Sequence, residues 1–237
     1  MNTSMPSNPK QLYSFRNIIS QIRHFNTLSN HVMDELAAIA QPVHYDEGQI
    51  IYVEGEPATA IYFIEQGWVK STRVSCQGRE QAMLCLCSGE VFGETAMVTQ
   101  TAYPCTVVAL EASDLWRVPT DELLRLMQQY PELGIAITRR MGERVRYYVD
   151  LVEDLSLCGV EVRLARTLLR NAKFIDGKWV IHRRTWSTFD EMAGRLGTVR
   201  DVLSRSLRAL EKEGLIQVNR QEIVILEPED LAKHGQL

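Results

Sequence analysis

Arg200, Asp201, Ser204 and Arg205 fall within two turns of each other on one side of a predicted helix. Their chemistry is that of base-edge recognition. A guanidinium pairs bidentately with guanine O6 and N7, a carboxylate accepts from cytosine N4, and a hydroxyl serves either. At 100° per residue the same side carries Arg208, Glu211 and Lys212, while Val199, Val202, Leu203, Ser206, Leu207, Ala209 and Leu210 fall on the side expected to pack. A merely solvated face shows the same split, so periodicity alone does not decide. What points to nucleic acid is the clustering of arginines at the start of the helix, where a reading helix presents side chains to bases.

Something must hold that helix in place. Phe189, Met192, Ala193 and Leu196 form the apolar stripe of a preceding helix, and Thr188 followed three residues later by Glu191 is a capping-box start. Thr198 and Asp201 repeat the pattern at the second helix, so Asp201 has two candidate roles, cap and base contact. Gly197 lets the chain turn sharply between the helices. The result is a helix-turn-helix. After Gly214, Ile216 and Val218 alternate with Ile223 and Ile225 around Asn219 and Arg220, which predicts a hairpin, or wing. Thr188, Arg208 and Arg220 complete the candidate DNA-binding set.

Charge agrees with this placement. The chain of 237 residues carries net −4, with 26 basic and 30 acidic residues. From Val160 to Arg220, however, thirteen basic residues face seven acidic ones (+6), leaving thirteen against twenty-three (−10) elsewhere. Phosphate binding needs such a local positive surface. The length is enough for two domains with cores of their own. The start, MNTSMPSNPKQLYSF, has no hydrophobic leader region, and no apolar run reaches a membrane span. A cytoplasmic protein with no membrane partner is expected. No phosphate-cradling loop, metal-ligand cluster or nucleophile and base arrangement suggests an enzyme.

From Tyr45 to Val118, strand-length segments (QIIYV, AIYFIE, WVKSTRVS, EQAMLCLC, CTVVALE, DLWRV) alternate with glycine-marked turns. They predict an antiparallel barrel or sandwich of roughly eight strands, with an interior suited to one small ligand. Between this region and the helix-turn-helix, Met141, Val145, Tyr148, Val152 and Leu155 recur at spacings of four, three, four and three, which is a coiled-coil seam. A dimer is also what reading two half-sites about 34 Å apart requires. The expected organisation is a partly disordered 1–20, a sensor domain over 21–131, a dimerisation helix over 132–157 and a DNA-binding domain over 158–237.

In this order the chain resembles the CRP/FNR family of bacterial transcription regulators. The resemblance rests on YDEGQIIYVEGEPATAIYFIEQGWVK, GEVFGETAM and GTVRDVLSRSLRALEKEGLI and covers about Leu28 to Leu226. It implies an α+β chain: an N-terminal antiparallel β-roll of the cyclic-nucleotide-binding kind, a long dimerisation helix and a C-terminal winged helix-turn-helix. It further implies a homodimer on a near-palindromic promoter site, an effector in the roll, and RNA polymerase as a partner. Arg205 would meet guanine, Asp201 would replace the family's usual Glu opposite cytosine, and Arg200 and Ser204 would complete the face. The effector pocket would take Gly93, Glu94, Thr95, Cys105 and Tyr148.

Cyclic-nucleotide-binding members place an Arg followed by Ser or Thr about ten residues after the Glu matched by Glu94, and the Arg neutralises the cyclic phosphate. Here Pro104 and Cys105 stand there, and Tyr148 and Val149 stand where cyclic-AMP-responsive members carry a Thr-Ser pair. Without the guanidinium a buried phosphate loses its charge-assisted bonds. The reading is therefore a regulator controlled by an effector other than cyclic AMP. Three alternatives stand beside it: a cyclic-nucleotide response, a haem or thiol-based redox or gas sensor, and a module whose winged helix makes protein contacts only. His24, His31 and His44 are candidate haem ligands without diagnostic spacing, and no N-terminal cysteine cluster offers an iron-sulfur site. Cys85 and Cys87 alternate on one strand about 7 Å apart, more suited to packing than to a CxxC or zinc motif.

Overall fold

A computed structural model of the chain describes residues 9–78, 80–182, 184 and 187–235, with side chains from residue 13 onward. Contacts divide it into two compact units, one of residues 1–75 and 83–146, the other of 76–82 and 147–237.

The first unit begins with helices α1 (Pro9–Gln21) and α2 (Asn30–Ile39). Eight strands follow: β1 (Gln41–Tyr45), β2 (Ile50–Tyr52), β3 (Ala60–Gln66), β4 (Trp68–Val74), β5 (Glu80–Cys87), β6 (Val91–Phe92), β7 (Thr106–Ala109) and β8 (Ser113–Pro119). The short helix α3 (Glu94–Thr99) sits between β6 and β7, and α4 (Thr120–Gln129) follows β8. The strands form two four-stranded sheets, ordered β1-β8-β3-β6 and β2-β7-β4-β5. Ala60 to Ile64 of β3 are all buried, a run without alternation. Both faces of this strand are covered. Phe63 meets Phe15 of α1 edge-on at 5.2 Å and Phe25 at 5.4 Å, while Tyr62 turns to the other side and stacks on Phe92 at 5.2 Å. Gly67, at φ 101°, joins β3 to β4 where a Cβ would stand 2.2 Å from Ser113 Oγ, so only glycine fits the turn.

Part of the stretch expected to be disordered is helix. From Pro9 the chain forms α1, because Phe15 and Ile19 return to the same face one turn apart and are buried in the unit's core with Ile22, which follows the helix. Residues 1–8 lie outside the described ones. β1 is a strand the sequence does not announce, since Pro42 and His44 break its pattern. It survives at a sheet edge, where a proline costs no ladder bond on its solvent side.

Helix α5 (Pro131–Leu157) runs for 27 residues, about 40 Å at 1.5 Å per residue. The second unit contains α6 (Val160–Asn171), strands β9 (Lys173–Ile175) and β10 (Lys178–His182), α7 (Phe189–Arg195), α8 (Arg200–Lys212), β11 (Ile216–Val218), β12 (Glu222–Ile225) and α9 (Pro228–His234). Its sheet is ordered β11-β12-β10-β9. Leu164, Leu168, Ala193, Leu196, Leu203, Leu207, Leu210, Ile216, Ile223 and Leu231 form one core, so α6, α7, α8, α9 and the sheet share a single apolar centre. The β9–β10 turn places Asp176 at φ 49° and Gly177 at φ 80°, the Asp-Gly arrangement of a tight hairpin. Among the described residues no helix is long and apolar enough to cross a membrane.

Candidate nucleic-acid interface

α7 and α8 are held to each other by backbone and core. Thr188 caps α7, its hydroxyl accepting from Glu191 N at 3.2 Å. Gly197 takes φ 64°, and Thr198 N then donates to Ala193 O at 2.9 Å, which closes the turn. Leu203, Leu207 and Leu210 of α8 are buried in the unit's core. What remains outside is a polar face: Arg200, Asp201, Arg205 and Arg208 are exposed and Ser204 is half-buried.

The second capping box is not formed. The residue that caps α8 is Val199, one position later than expected, and no side chain bonds the free amides there. Asp201 makes no hydrogen bond or ion pair among the described residues, so the cap role drops out and its carboxylate is left at the surface. Val199 itself is 62% exposed and not on the packing side, because it precedes the helix and does not share its periodicity. Arg200 Nη1 lies 3.2 Å from Asp190 Oδ2 of α7. Arg205 and Arg208 have no such partner among the described residues.

The wing is anchored to the same helix. Val218 N donates to Glu211 Oε1 at 2.9 Å, and Asn219 N to Glu222 O at 2.8 Å, which leaves Arg220 exposed in the turn between β11 and β12. Glu211, read from sequence as one more charge on the outer face, is thus a positioning residue for the wing.

Inside the roll the expected pocket residues diverge. Gly93 adopts φ 91° at the start of α3, where a Cβ would stand 3.1 Å from Ala60 O. Glu94 is 3% exposed, with Oε1 3.5 Å from Arg144 Nε, and Arg144 Nη2 donates to Val91 O at 3.1 Å. That oxygen of Glu94 accepts no hydrogen bond, so it is balanced by charge alone. Thr95 points outward and leaves the expected set, because it lies on the solvent side of α3. Ser71 Oγ donates to Cys105 Sγ at 2.9 Å, and burial pushes the Cys105 thiol up. Arg73 is paired with Glu54. Tyr148 belongs to the second unit and is half-buried beside Tyr147.

Aromatic rings that the sequence reading overlooked fill much of this interior. Tyr52 stacks on Tyr103 at 3.7 Å, and Tyr103 Oη donates to Ala60 O at 2.7 Å. Burial pushes the Tyr52 hydroxyl far up and that of Tyr62 to about 12. Their alternation with buried aliphatics on β2 and β3 was the available signal. A separate hollow of 590 Å³, lined by Gly55, Pro57, Ala96, Thr101 and Asp121 among others, includes none of the expected pocket residues.

The histidines have local partners: His24 Nε2 lies 3.0 Å from Glu143 Oε1, His31 Nε2 3.0 Å from Tyr130 Oη and His44 Nδ1 2.7 Å from Asp114 Oδ1. Of the cysteines, Cys76 is exposed, Cys85 and Cys87 lie on the half-buried face of β5 opposite Leu84 and Leu86, and Cys158 is buried.

Along α5 the residues of the expected seam differ in exposure. Met141 packs on the first unit's core, and Tyr148 and Leu155 are half-buried. Val145, Val149 and Val152 are 60%, 60% and 63% exposed, at spacings of four and three. A 3.5-residue repeat fits either row, since Val145 and Val152 belong to both. The chain's own packing covers Met141, Tyr148 and Leu155 in part and leaves the three valines open.

A sheet roll, a long helix and a helix-turn-helix with an arginine-bearing outer face define a two-domain DNA-binding regulator. Residues 42–130 match the family model described as cyclic nucleotide-binding domain, and residues 162–234 that described as Crp-like helix-turn-helix domain. The chain is 26% identical over 223 residues to a CRP-like cAMP-activated global transcriptional regulator of Mycobacterium tuberculosis (strain ATCC 25618 / H37Rv), covering 92% of this chain and 98% of that one. It is 28% identical over 212 residues to the anaerobic regulatory protein of Haemophilus influenzae, covering 87% and 81%. FixK2 from Bradyrhizobium japonicum shares the fold, with a TM-score of 0.75 over 84% of this chain and 98% of that one at 20% identity. The chain belongs to the CRP/FNR family of transcription regulators.

Proposed function

We propose that the protein is a homodimeric, sequence-specific regulator that binds a near-palindromic promoter site, meets RNA polymerase there, and answers to an effector other than cyclic AMP. The observation that carries the DNA reading is the outer face of α8. Asp201 and Arg205 stand on it without protein partners, on a helix whose opposite face is locked into the core. Arg205 supplies the bidentate donor for guanine and Asp201 the acceptor for cytosine, while Arg208, Arg220 and Thr188 serve the backbone. Val145, Val149 and Val152 supply the apolar contact between protomers.

The effector reading rests on charge. Arg73, beside Cys105, is already matched by Glu54, as Arg144 is by Glu94, and burial keeps the thiol neutral. To gain either of these guanidiniums a cyclic phosphate would have to displace the carboxylate already there.

Charge reversal tests the first part. With Arg205→Glu, a gel shift on a promoter fragment that the wild-type protein retards is expected to vanish. An unchanged shift would overturn the DNA reading and favour a winged helix that makes protein contacts only.

A further inference from the structure

We infer that Val199 is a specificity-determining residue, reading the 5-methyl group of a thymine at the edge of each half-site. The inference rests on the DNA reading of α8 proposed above.

Val199 occupies the cap of the reading helix, the position where Ser, Thr, Asp or Asn is favoured because a side-chain oxygen can satisfy a free amide. Valine supplies no oxygen, and no side chain caps α8. Nor does valine gain by packing, since it is 62% exposed. A β-branched hydrophobe that neither caps nor packs breaks two local preferences at once, and such breaks concentrate at functional positions.

The backbone around it is fixed. Val199 O accepts from Val202 N and from Leu203 N, both at 3.1 Å, and Leu203 is fully buried. Branching at Cβ restricts χ1, so the isopropyl group next to Arg200 and Asp201 has few orientations to lose on contact. The first residues of a reading helix approach the base edges most closely. In the major groove the one apolar group a base pair offers is the thymine methyl. Arg200, Asp201 and Arg205 account for polar edges, and Val199 adds the complementary apolar term.

The test begins with full-length protein and a randomised duplex library. Wild-type protein is expected to enrich a thymine at one position in each half-site. Replacing that thymine by deoxyuridine, which differs only by the methyl, should weaken binding about fourfold per half-site, the effect of losing one buried methyl-sized contact. Val199→Ser restores a favoured cap and removes the isopropyl group. It should still bind the selected duplex, but with thymine and uracil forms held equally. Equal binding of the two forms by wild-type protein at every enriched thymine would overturn the inference, as would full methyl discrimination by Val199→Ser. A library that emerges unenriched would instead overturn the DNA reading itself, and this inference with it.

Discussion

If protomers meet along the exposed valines of α5, Val149→Glu separates them. Val145, Val149 and Val152 leave 60%, 60% and 63% of their surface open in the single chain. Fully burying a valine side chain contributes at least ~1.5 kcal/mol, so closing the open part of each contributes ~0.9 kcal/mol. Three per protomer give ~5 kcal/mol across a two-fold axis, a large part of what a helix pair needs to offset its association cost. Because the axis is two-fold, Val149 meets its own copy. Val149→Glu therefore removes ~2 kcal/mol of burial and sets two carboxylates against each other. The dimer should weaken about a thousandfold or more, taking the like-charge penalty as at least the same size as the lost burial. Sedimentation equilibrium at micromolar concentration should show a dimer for the wild-type chain and a monomer for the variant, with unchanged circular dichroism. Operator affinity should fall with it. A variant that sediments as the wild-type dimer would refute the valine row and place the contact elsewhere.

Arg208→Ala should reduce the slope of log affinity against log salt by about two for a dimer, one phosphate contact per protomer, with little change in base preference. Binding constants at several salt concentrations check this. Burial pushes Glu143 up, but His24, Arg23 and Arg140 outweigh it and hold its carboxyl below the ordinary 4.5. A lowered folded value stabilises above 4.5 and is lost as pH falls through the folded value. Melting temperature should thus drop on acidification below about pH 4.5, and Glu143→Gln should flatten that part of the profile while lowering stability near neutrality. Titration calorimetry with cyclic AMP should show no heat of binding at micromolar concentration, and a clear exothermic isotherm would overturn the proposed effector reading.

How far sequence reached depends on how unique each signal was. The buried row of α8 was legible because Leu203, Leu207 and Leu210 obey a helical period and nothing else explains them. Val199 was misplaced because the period was extended one residue beyond the helix, and the Thr198–Asp201 box was expected for the same reason. The seam on α5 is ambiguous in principle, since two rows share Val145 and Val152 and periodicity does not separate them. Tyr52 and Tyr103 could not be paired from sequence, being 51 residues apart in a stack fixed by sheet order. The β9–β10 hairpin, by contrast, carried an Asp-Gly signal at 176–177 that was passed over.

The pair between Arg200 and Asp190 bears on how such a protein would search a chromosome. Both side chains are more than half exposed, and an ion pair of that kind contributes only ~0.2–1 kcal/mol. It is a weak clasp, strong enough to orient the guanidinium and too weak to hold it there against a better acceptor. If α8 reads DNA as proposed, the arm could stay folded against its own domain on non-matching sequence and leave binding there to backbone charge. On that reading a matching site would release it at a cost of at most about fivefold in affinity.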